Sequence, residues 1–317
     1  MSKTRIHLQT LIPEDFSGQR LDSALAQLFS AYSRSRLQQW IQAGEVLLDG
    51  RTPRVRDKVL GGEQVVIDAA QDVVVSEDMA EPLPLELIYE DEHLLVIHKP
   101  AGLVVHPAVG HPQGTLVNAL LHHAPELASL PRAGIVHRLD KETSGLLVVA
   151  RTLRAHTDLV RQLQARSVSR EYLALVQGEM ISGGTVDAPI GRHPVDRKRM
   201  AVVPNGREAI THYRVEQRYL GFTLLRVKLE TGRTHQIRVH MAHIRHPIVG
   251  DPTYGGRLRL PAGLSEAAIT QLQQFRRQAL HAARLGLVHP ETGETLVCEA
   301  PLPDDFAQLL ACLDTKE

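Results

Sequence analysis

The chain has 317 residues, 43% of them hydrophobic, enough for one large globular domain with a smaller companion. Its 36 basic and 36 acidic residues cancel, so overall charge makes no case for a polyanionic partner, although local clusters do. No stretch approaches the roughly 20 apolar residues that cross a bilayer, and the start Met-Ser-Lys-Thr-Arg-Ile-His lacks the apolar centre of a signal peptide. Two cysteines, Cys298 and Cys312, form no disulfide framework, so we expect a cytoplasmic protein with no membrane association.

Residues 1–17 carry no clear periodicity. Leu21, Leu25 and Leu28 keep helical spacing, and Ser33 is placed to cap a second helix with Leu37, Trp40 and Ile41 inward and Gly44 at its end. Glu45–Leu48, the turn Asp49-Gly50 and Val65–Ile67 predict short strands. Arg34 and Arg36 fall in the first turn of the second helix, near Arg51, Arg54, Arg56 and Lys58. Such a basic face suits solvated surface and RNA binding equally. The acidic run 69–84 ends in Pro82 and Pro84 and predicts a linker.

Leu94–Ile97 predicts a central strand broken by Lys99-Pro100-Ala101-Gly102, and Thr115 caps a helix with Leu116, Ala119 and Leu120, leaving His122 and His123 on the surface. The run His-Arg-Leu-Asp-Lys-Glu-Thr-Ser-Gly at 137–145 leads into Leu146–Ala150, an apolar stretch that predicts a buried strand. Asp140 then sits on a polar turn anchored by rigid core, where a carboxylate with a chemical task is usually carried. Arg138 and Lys141 flank it, and nearby positive charge favours an anion, so Asp140 is expected to be a base or nucleophile. A lone Asp in a polar loop is more often only a turn cap.

Thr157–Ala165 predicts an amphipathic helix with Leu159, Val160 and Leu163 inward, and Arg170–Val176 alternates as a strand carrying Tyr172. A strand Tyr is by default a core residue. Gly191–Met200 reads as a basic loop between strands: five of its ten residues are Arg192, His193, Arg197, Lys198 and Arg199. Phosphate contact is the natural use of such a loop, with a solvated loop as the rival. Leu225–Leu229 predicts a strand, Thr231-Gly232 a turn from which Arg233 projects, and Thr234 a cap for a helix with Ile237, Met241 and Ile244. His235, His240, His243 and His246 lack zinc-site spacing and no CxxC accompanies them, so no metal is expected. A helix over 264–278, strands Leu285–Val288 and Leu296–Cys298, and a last helix capped by Asp304 with Phe306, Leu309 and Leu310 inward complete the chain.

Lys-Pro-Ala-Gly at 99–102, Arg-Ala-Gly-Ile-Val-His-Arg-Leu-Asp-Lys around Asp140, and Leu-Glu-Thr-Gly-Arg-Thr-His-Gln-Ile-Arg-Val-His around Arg233 stand in the order of the motifs of the RluA family of RNA pseudouridine synthases, which the chain resembles along nearly its whole length. Residues 18–75 resemble an S4 RNA-binding module. The resemblance implies an α+β protein. An extension 1–17, the S4-like module 18–75 and a linker 76–84 would precede a catalytic domain 85–317, a large mixed, mainly antiparallel sheet with flanking helices and a central cleft. It implies Asp140, Tyr172 and Arg233 as catalytic residues, with Arg233 paired to Asp140 and Tyr172 stacked on an everted base. Arg138, Lys99 and Ile237 would contact the substrate, and Arg192, His193, Arg197, Lys198, Arg34 and Arg36 its phosphates. Neither cofactor nor metal is implied. The partner would be 23S ribosomal RNA or the large ribosomal subunit, at the helix 69 stem-loop, bound by a monomer. Alternatives are a synthase acting on another 23S or tRNA site, a non-catalytic RNA-binding ribosome-assembly factor, and a metal-dependent nuclease, for which the stretch offers too few carboxylates.

Overall fold

The structure, a computed structural model, describes residues 4–29, 32, 34–71, 80–107 and 113–314. Hydrophobic packing divides it into a small N-terminal module and a larger body. The first holds β1 (Thr4–Leu11), α1 (Leu21–Leu28), α2 (Arg34–Gln42), β2 (Val46–Leu48) and β3 (Gln64–Gln71), with an antiparallel sheet in the order β1-β3-β2. Leu21 and Leu25 of α1 pack with Leu37, Trp40 and Ile41 of α2 over Val46, Val65 and Ile67, a cluster that shares no residue with those of the larger body. The helical spacing of these leucines is what brings them to one face. Asp49 and Gly50 take left-handed φ of 48° and 74°, the twist that lets the chain fold back after β2.

β1 pairs with β3 over its whole length, so the described part of segment 1–17 is integral to the module's sheet rather than an appended tail. The expected cap Ser33 and residues 72–79 of the expected linker lie outside the described residues. Asp22, fully buried, binds α1 to α2: Arg20, Arg34 and Gln38 all donate to its carboxylate. Burial would raise its pKa, but these donors bring it down to about 2.

The larger body is built from β4 (Glu86–Glu90), β5 (Leu94–Lys99), α3 (Leu116–His123), β6 (Ser144–Ala150), α4 (Leu153–Gln164), β7 (Ser169–Gln177), β8 (Gly184–Asp187), β9 (Ile190–Arg192), β10 (Met200–Val202), β11 (Ile210–Tyr219), β12 (Phe222–Leu229), α5 (Gln236–His243), α6 (Glu266–Gln274), β13 (Leu280–Val288), β14 (Thr295–Glu299) and α7 (Asp304–Asp314). Its main sheet runs β4-β5-β6-β13-β7-β12-β11-β8, with β14 on β13 and β9–β10 as a separate hairpin. β6 and β13 pair in parallel; the other described pairs are antiparallel. The fold is therefore the expected α+β, with a mixed, mainly antiparallel sheet.

Helices cover both faces of this sheet, which explains why β5 and β6 are buried at every position and carry the apolar runs Leu94–Ile97 and Leu146–Ala150. Leu95, Ile97, Leu147 and Val149 point into a core shared with α3, α5, α6 and α7. Leu94, Val96, Leu146 and Val148 point the other way, onto Ala155 and Leu159 of α4. The strand period of two divides one run between two cores.

Element ends depart from expectation where caps decide them. α4 begins at Leu153, four residues early, because Thr152 accepts from the Ala155 amide. Thr234 does not cap α5; His235 occupies that place with a left-handed φ of 58° and no side-chain cap. α6 stops at Gln274, since Phe275 is already extended. Thr115 does cap α3, through a reciprocal bond pair with Asn118.

Candidate active site

Asp140 lies on the turn that feeds β6, and four tethers hold that turn. Thr143 N donates to Asp140 O at 3.0 Å, and Gly102 N donates to Lys141 O at 2.9 Å. Gln278 Nε2 reaches Thr143 Oγ1 at 3.1 Å. The Lys99 ammonium donates to Pro100 O, Leu103 O and Lys141 O at 2.7, 3.0 and 3.0 Å, one acceptor for each of its protons. Lys99 was expected to contact substrate; it is instead 1% exposed and pins the turn from behind. Burial pushes its pKa down to about 7, with the Glu142 and Asp140 charges acting against that and Arg277 adding to it.

The start of β6 fits beside β13 only because residue 145 is glycine. Its φ is +113°, and a Cβ there would sit 2.2 Å from Ala282 O. Gly145 opposes Ala282, and Ala282 opposes Tyr172 of β7. This row places Tyr172 and Asp140 at the same edge of one cleft, which both line. Tyr172 is buried, and burial raises its phenol pKa, with the Asp140 charge adding to the rise and Arg170 opposing it. At neutral pH its hydroxyl therefore keeps its proton.

The guanidinium on Asp140 is that of Arg238, not Arg233. Arg238 Nη1 donates to Asp140 Oδ2 at 2.9 Å, while its Nε and Nη2 clasp Asp251 at 2.7 and 2.9 Å. Arg233 turns the other way: its Nε donates to Glu208 O at 2.9 Å, although the residue still lines the cleft. The physical reason lies in α5, which presents Gln236, Arg238 and His240 to the protein interior. Gln236 donates to Ile210 O and Thr211 Oγ1 and accepts from Thr231 Oγ1 and Arg233 N, fixing the helix start against β11. Arg238, two residues on, is thereby driven into the site and 233 is left at its rim.

Burial opposes the Arg238 charge, but the Asp251 hydrogen bonds and charge, with those of Asp140, more than reverse it, so its pKa is raised. Asp251 shows the converse: burial raises, and Arg238 with the Tyr254 and Thr253 amides lowers further. His235 Nε2 stands 3.8 Å from Asp140 Oδ1, and its Nδ1 lies 2.9 Å from the Tyr254 hydroxyl. Burial lowers the His235 pKa first, and Asp140 acts against that.

The cleft has a volume of about 830 Å³, within the ~300–1,000 Å³ of ordinary ligand sites. Arg138 and Ile237 line it, as expected, together with Arg132, Arg166, Arg170 and Arg233. Its wall also carries two histidines that sequence reading passed over. Burial lowers His106 to about 4 and His137 to about 3, aided by Arg132 and Arg138 at the first and Arg170 at the second. Neutral His137 accepts from Val148 N at 3.2 Å and so secures β6.

The remaining expected contacts lie outside the cleft. Arg192, Arg197 and Lys198 are exposed at the β9–β10 hairpin, where the His193 ring accepts from the Val195 and Asp196 amides. The hairpin nevertheless reaches the site through Tyr254, whose hydroxyl accepts from Met200 N and whose ring lies 5.2 and 5.0 Å from the Arg199 and Arg238 guanidinium carbons. Arg34 is committed to Asp22, and Arg36 lies 5.5 Å over the Trp40 ring. Among the described residues no group of three His, Cys, Asp or Glu stands close enough to hold a metal, and no helix is long and apolar enough to cross a membrane.

An anionic carboxylate fixed by a buried arginine, facing a buried tyrosine across a cationic cleft in a mixed sheet, fits chemistry on RNA. Comparison with known proteins agrees. Residues 93–243 match the RNA pseudouridylate synthase family and residues 19–65 match the S4 domain. The chain belongs to the RNA pseudouridylate synthase family, and its enzyme class is pseudouridine synthase.

Several full-length relatives bear the name ribosomal large subunit pseudouridine synthase D. That of Pseudomonas aeruginosa is 59% identical over 95% of this chain and 94% of its own, and that of Xanthomonas campestris 56% over 96% and 92%. The Escherichia coli (strain K12) protein is 54% identical over 96% and 94%. Among solved structures, human RNA pseudouridylate synthase domain containing 4 superposes with a TM-score of 0.57 at 30% identity, covering 72% of this chain and 92% of that one.

Proposed function

We propose that the chain isomerises uridine to pseudouridine in 23S ribosomal RNA of the large subunit, at the helix 69 stem-loop, with Asp140 as the reacting group. The observation that supports it most is Asp140 held at 2.9 Å by Arg238 in the cleft that Tyr172 lines. Relatives at 54–59% identity that are named for the large ribosomal subunit point to that RNA. A loop suits the chemistry, because its bases are already partly unstacked and eversion costs only about a few kcal/mol.

The uridine is everted into the cleft and its base stacks on Tyr172. On one route Asp140 attacks C1′; the C1′–N1 bond breaks and its electron pair leaves on uracil. The base turns, C5 attacks C1′, the bond to Asp140 breaks, and the C5 proton passes to solvent while N1 takes one up. On the other route Asp140 takes the C2′ proton as the base leaves and returns it after C5 has joined C1′, with the same loss of the C5 proton and gain of one at N1. In both, Arg238 fixes the direction of the carboxylate. The protein is expected to act as a cytoplasmic monomer, which sedimentation of the purified chain checks.

The test is unmodified ribosomal RNA carrying tritium at C5 of uridine. Release of label to water, lost in Asp140→Asn and unaffected by EDTA, is the expected outcome. Mapping of the pseudouridines then checks the location, and conversion confined to sites outside helix 69 would refute that part. An Asp140→Asn protein that converts RNA normally would remove Asp140 from the chemistry.

A further inference from the structure

Buried cations need partners, and among the described residues all but one of the strongly buried ones have them. Lys99 has three carbonyls, Arg238 has Asp251 and Asp140, and Arg277 has Asp305 at 2.6 and 2.7 Å. Arg170 is the exception. It is 8% exposed, yet among the described residues no carboxylate pairs with it. Its Nε has no hydrogen-bond partner, and its Nη2 makes one long bond, 3.4 Å, to Glu230 O. Leaving a guanidinium buried without a counter-charge costs several kcal/mol, so an unpaired one implies an anion that is absent from the free protein.

The surroundings say where that anion goes. Arg170 stands two residues before Tyr172 on β7, so both side chains leave the same face of the strand, and both line the cleft. A Cβ on residue 232 would sit 2.7 Å from Arg170 Nη1, so glycine there leaves the guanidinium its room. The cleft wall is cationic, with Arg132, Arg138 and Arg233 also lining it, whereas Asp140 already has Arg238 and Glu230 has His212 and Arg166. A uracil carbonyl would offer Arg170 only a dipole; a phosphodiester offers a full charge and two oxygens for the planar fork.

We propose that Arg170 binds the phosphodiester adjoining the everted uridine, and so seats the nucleotide with its base on Tyr172 and its ribose at Asp140. The inference rests on Asp140 being the reacting group. It also makes a prediction about the free protein: the unpaired charge is tolerated for substrate's sake, so removing it should relieve the fold.

The test uses the full-length protein and the RNA stem-loop that the wild type converts fastest, with and without a methylphosphonate linkage next to the target uridine. Arg170→Met should keep or raise Tm while lowering kcat/KM at least roughly tenfold, as removal of one charge-assisted hydrogen bond does. The neutral linkage should cost the wild type a similar factor and cost Arg170→Met little, because the two changes remove the same interaction. A lower Tm with unchanged kcat/KM would make Arg170 structural and overturn the proposal. So would equal sensitivity of both proteins to the neutral linkage at either flank. If Asp140→Asn is fully active on this RNA, the assignment of the reacting group falls and this inference with it; a dead Asp140→Asn beside a wild-type-like Arg170→Met overturns the inference alone.

Discussion

Asp140 receives its guanidinium from a residue that is itself held. Arg238 gives two donors to buried Asp251 and one to Asp140, so Asp251 sets the angle at which Arg238 meets the Asp140 carboxylate. Asp251→Asn should therefore lower kcat roughly tenfold or more with little change in KM, by loosening a partner it never shares with RNA. Steady-state tritium release over a range of RNA concentrations checks this, and a rise in KM alone would contradict it. Arg238→Lys should fall further, since an ammonium cannot serve both carboxylates in a fixed plane. Asp140 and Tyr172 were legible in the sequence because each carries a motif on a recognisable turn or strand. Arg238 was not, although a signal existed. A cation between Ile237 and Val239 within a helix, followed by Asp251, indicates a buried ion pair, whereas Arg233 in a polar turn has no such need.

Strands with a local apolar pattern were read, β1, β4 and β8 to β11 were not, and helix starts were read less well. The unbroken apolar run of β6 and the alternation in β7 and the second half of β12 are imposed by sheet faces that the sequence itself displays. The start of α5 is instead set by Gln236 binding across to β11, a partner about 25 residues away in the chain, which no local pattern reveals. Lys99 illustrates the same limit: its motif was visible, but its three carbonyl partners come from two separate turns. Lys99→Met should leave the Asp140 turn without its staple and lower Tm by several degrees, about what a loss of 1–3 kcal/mol brings. Thermal melts of the two proteins decide it.

β6 also depends on His137 staying neutral. His137 and His106 have folded pKa values of about 3 and 4, below the ordinary histidine value of 6.5. Between those limits the unfolded chain binds more protons, so this part of stability is whole above pH 6.5 and lost as pH falls towards 4. Tm should drop steadily over that window, and His137→Gln, which keeps an acceptor for Val148 N, should flatten the drop. A flat Tm from pH 7 to 4 in the wild type would contradict it.

At the scale of the whole molecule, the S4 module and the cleft sit on separate cores. The module's Arg51, Arg54, Arg56 and Lys58 are exposed, while the cleft belongs to the larger body. Replacing those four with Gln in the full chain should weaken RNA affinity and make it less sensitive to salt, by up to about one unit of slope for each phosphate no longer neutralised. Turnover at saturating RNA should hold, and a matching loss of kcat would show that the module also shapes the cleft. The two-part plan was readable from the sequence, through the leucine spacing of the module and the proline-bearing acidic run after it. The integration of β1 was not, because its partner β3 lies some 60 residues further on.

Asp140 and Arg238, which meet in the cleft, stand 98 positions apart along the chain. During synthesis the module emerges and can close its own core long before Arg238 leaves the ribosome. A nascent chain at that stage would be able to hold RNA but not to alter it, and the enzyme becomes competent only once the last third of its length has folded back over the first strands of the sheet.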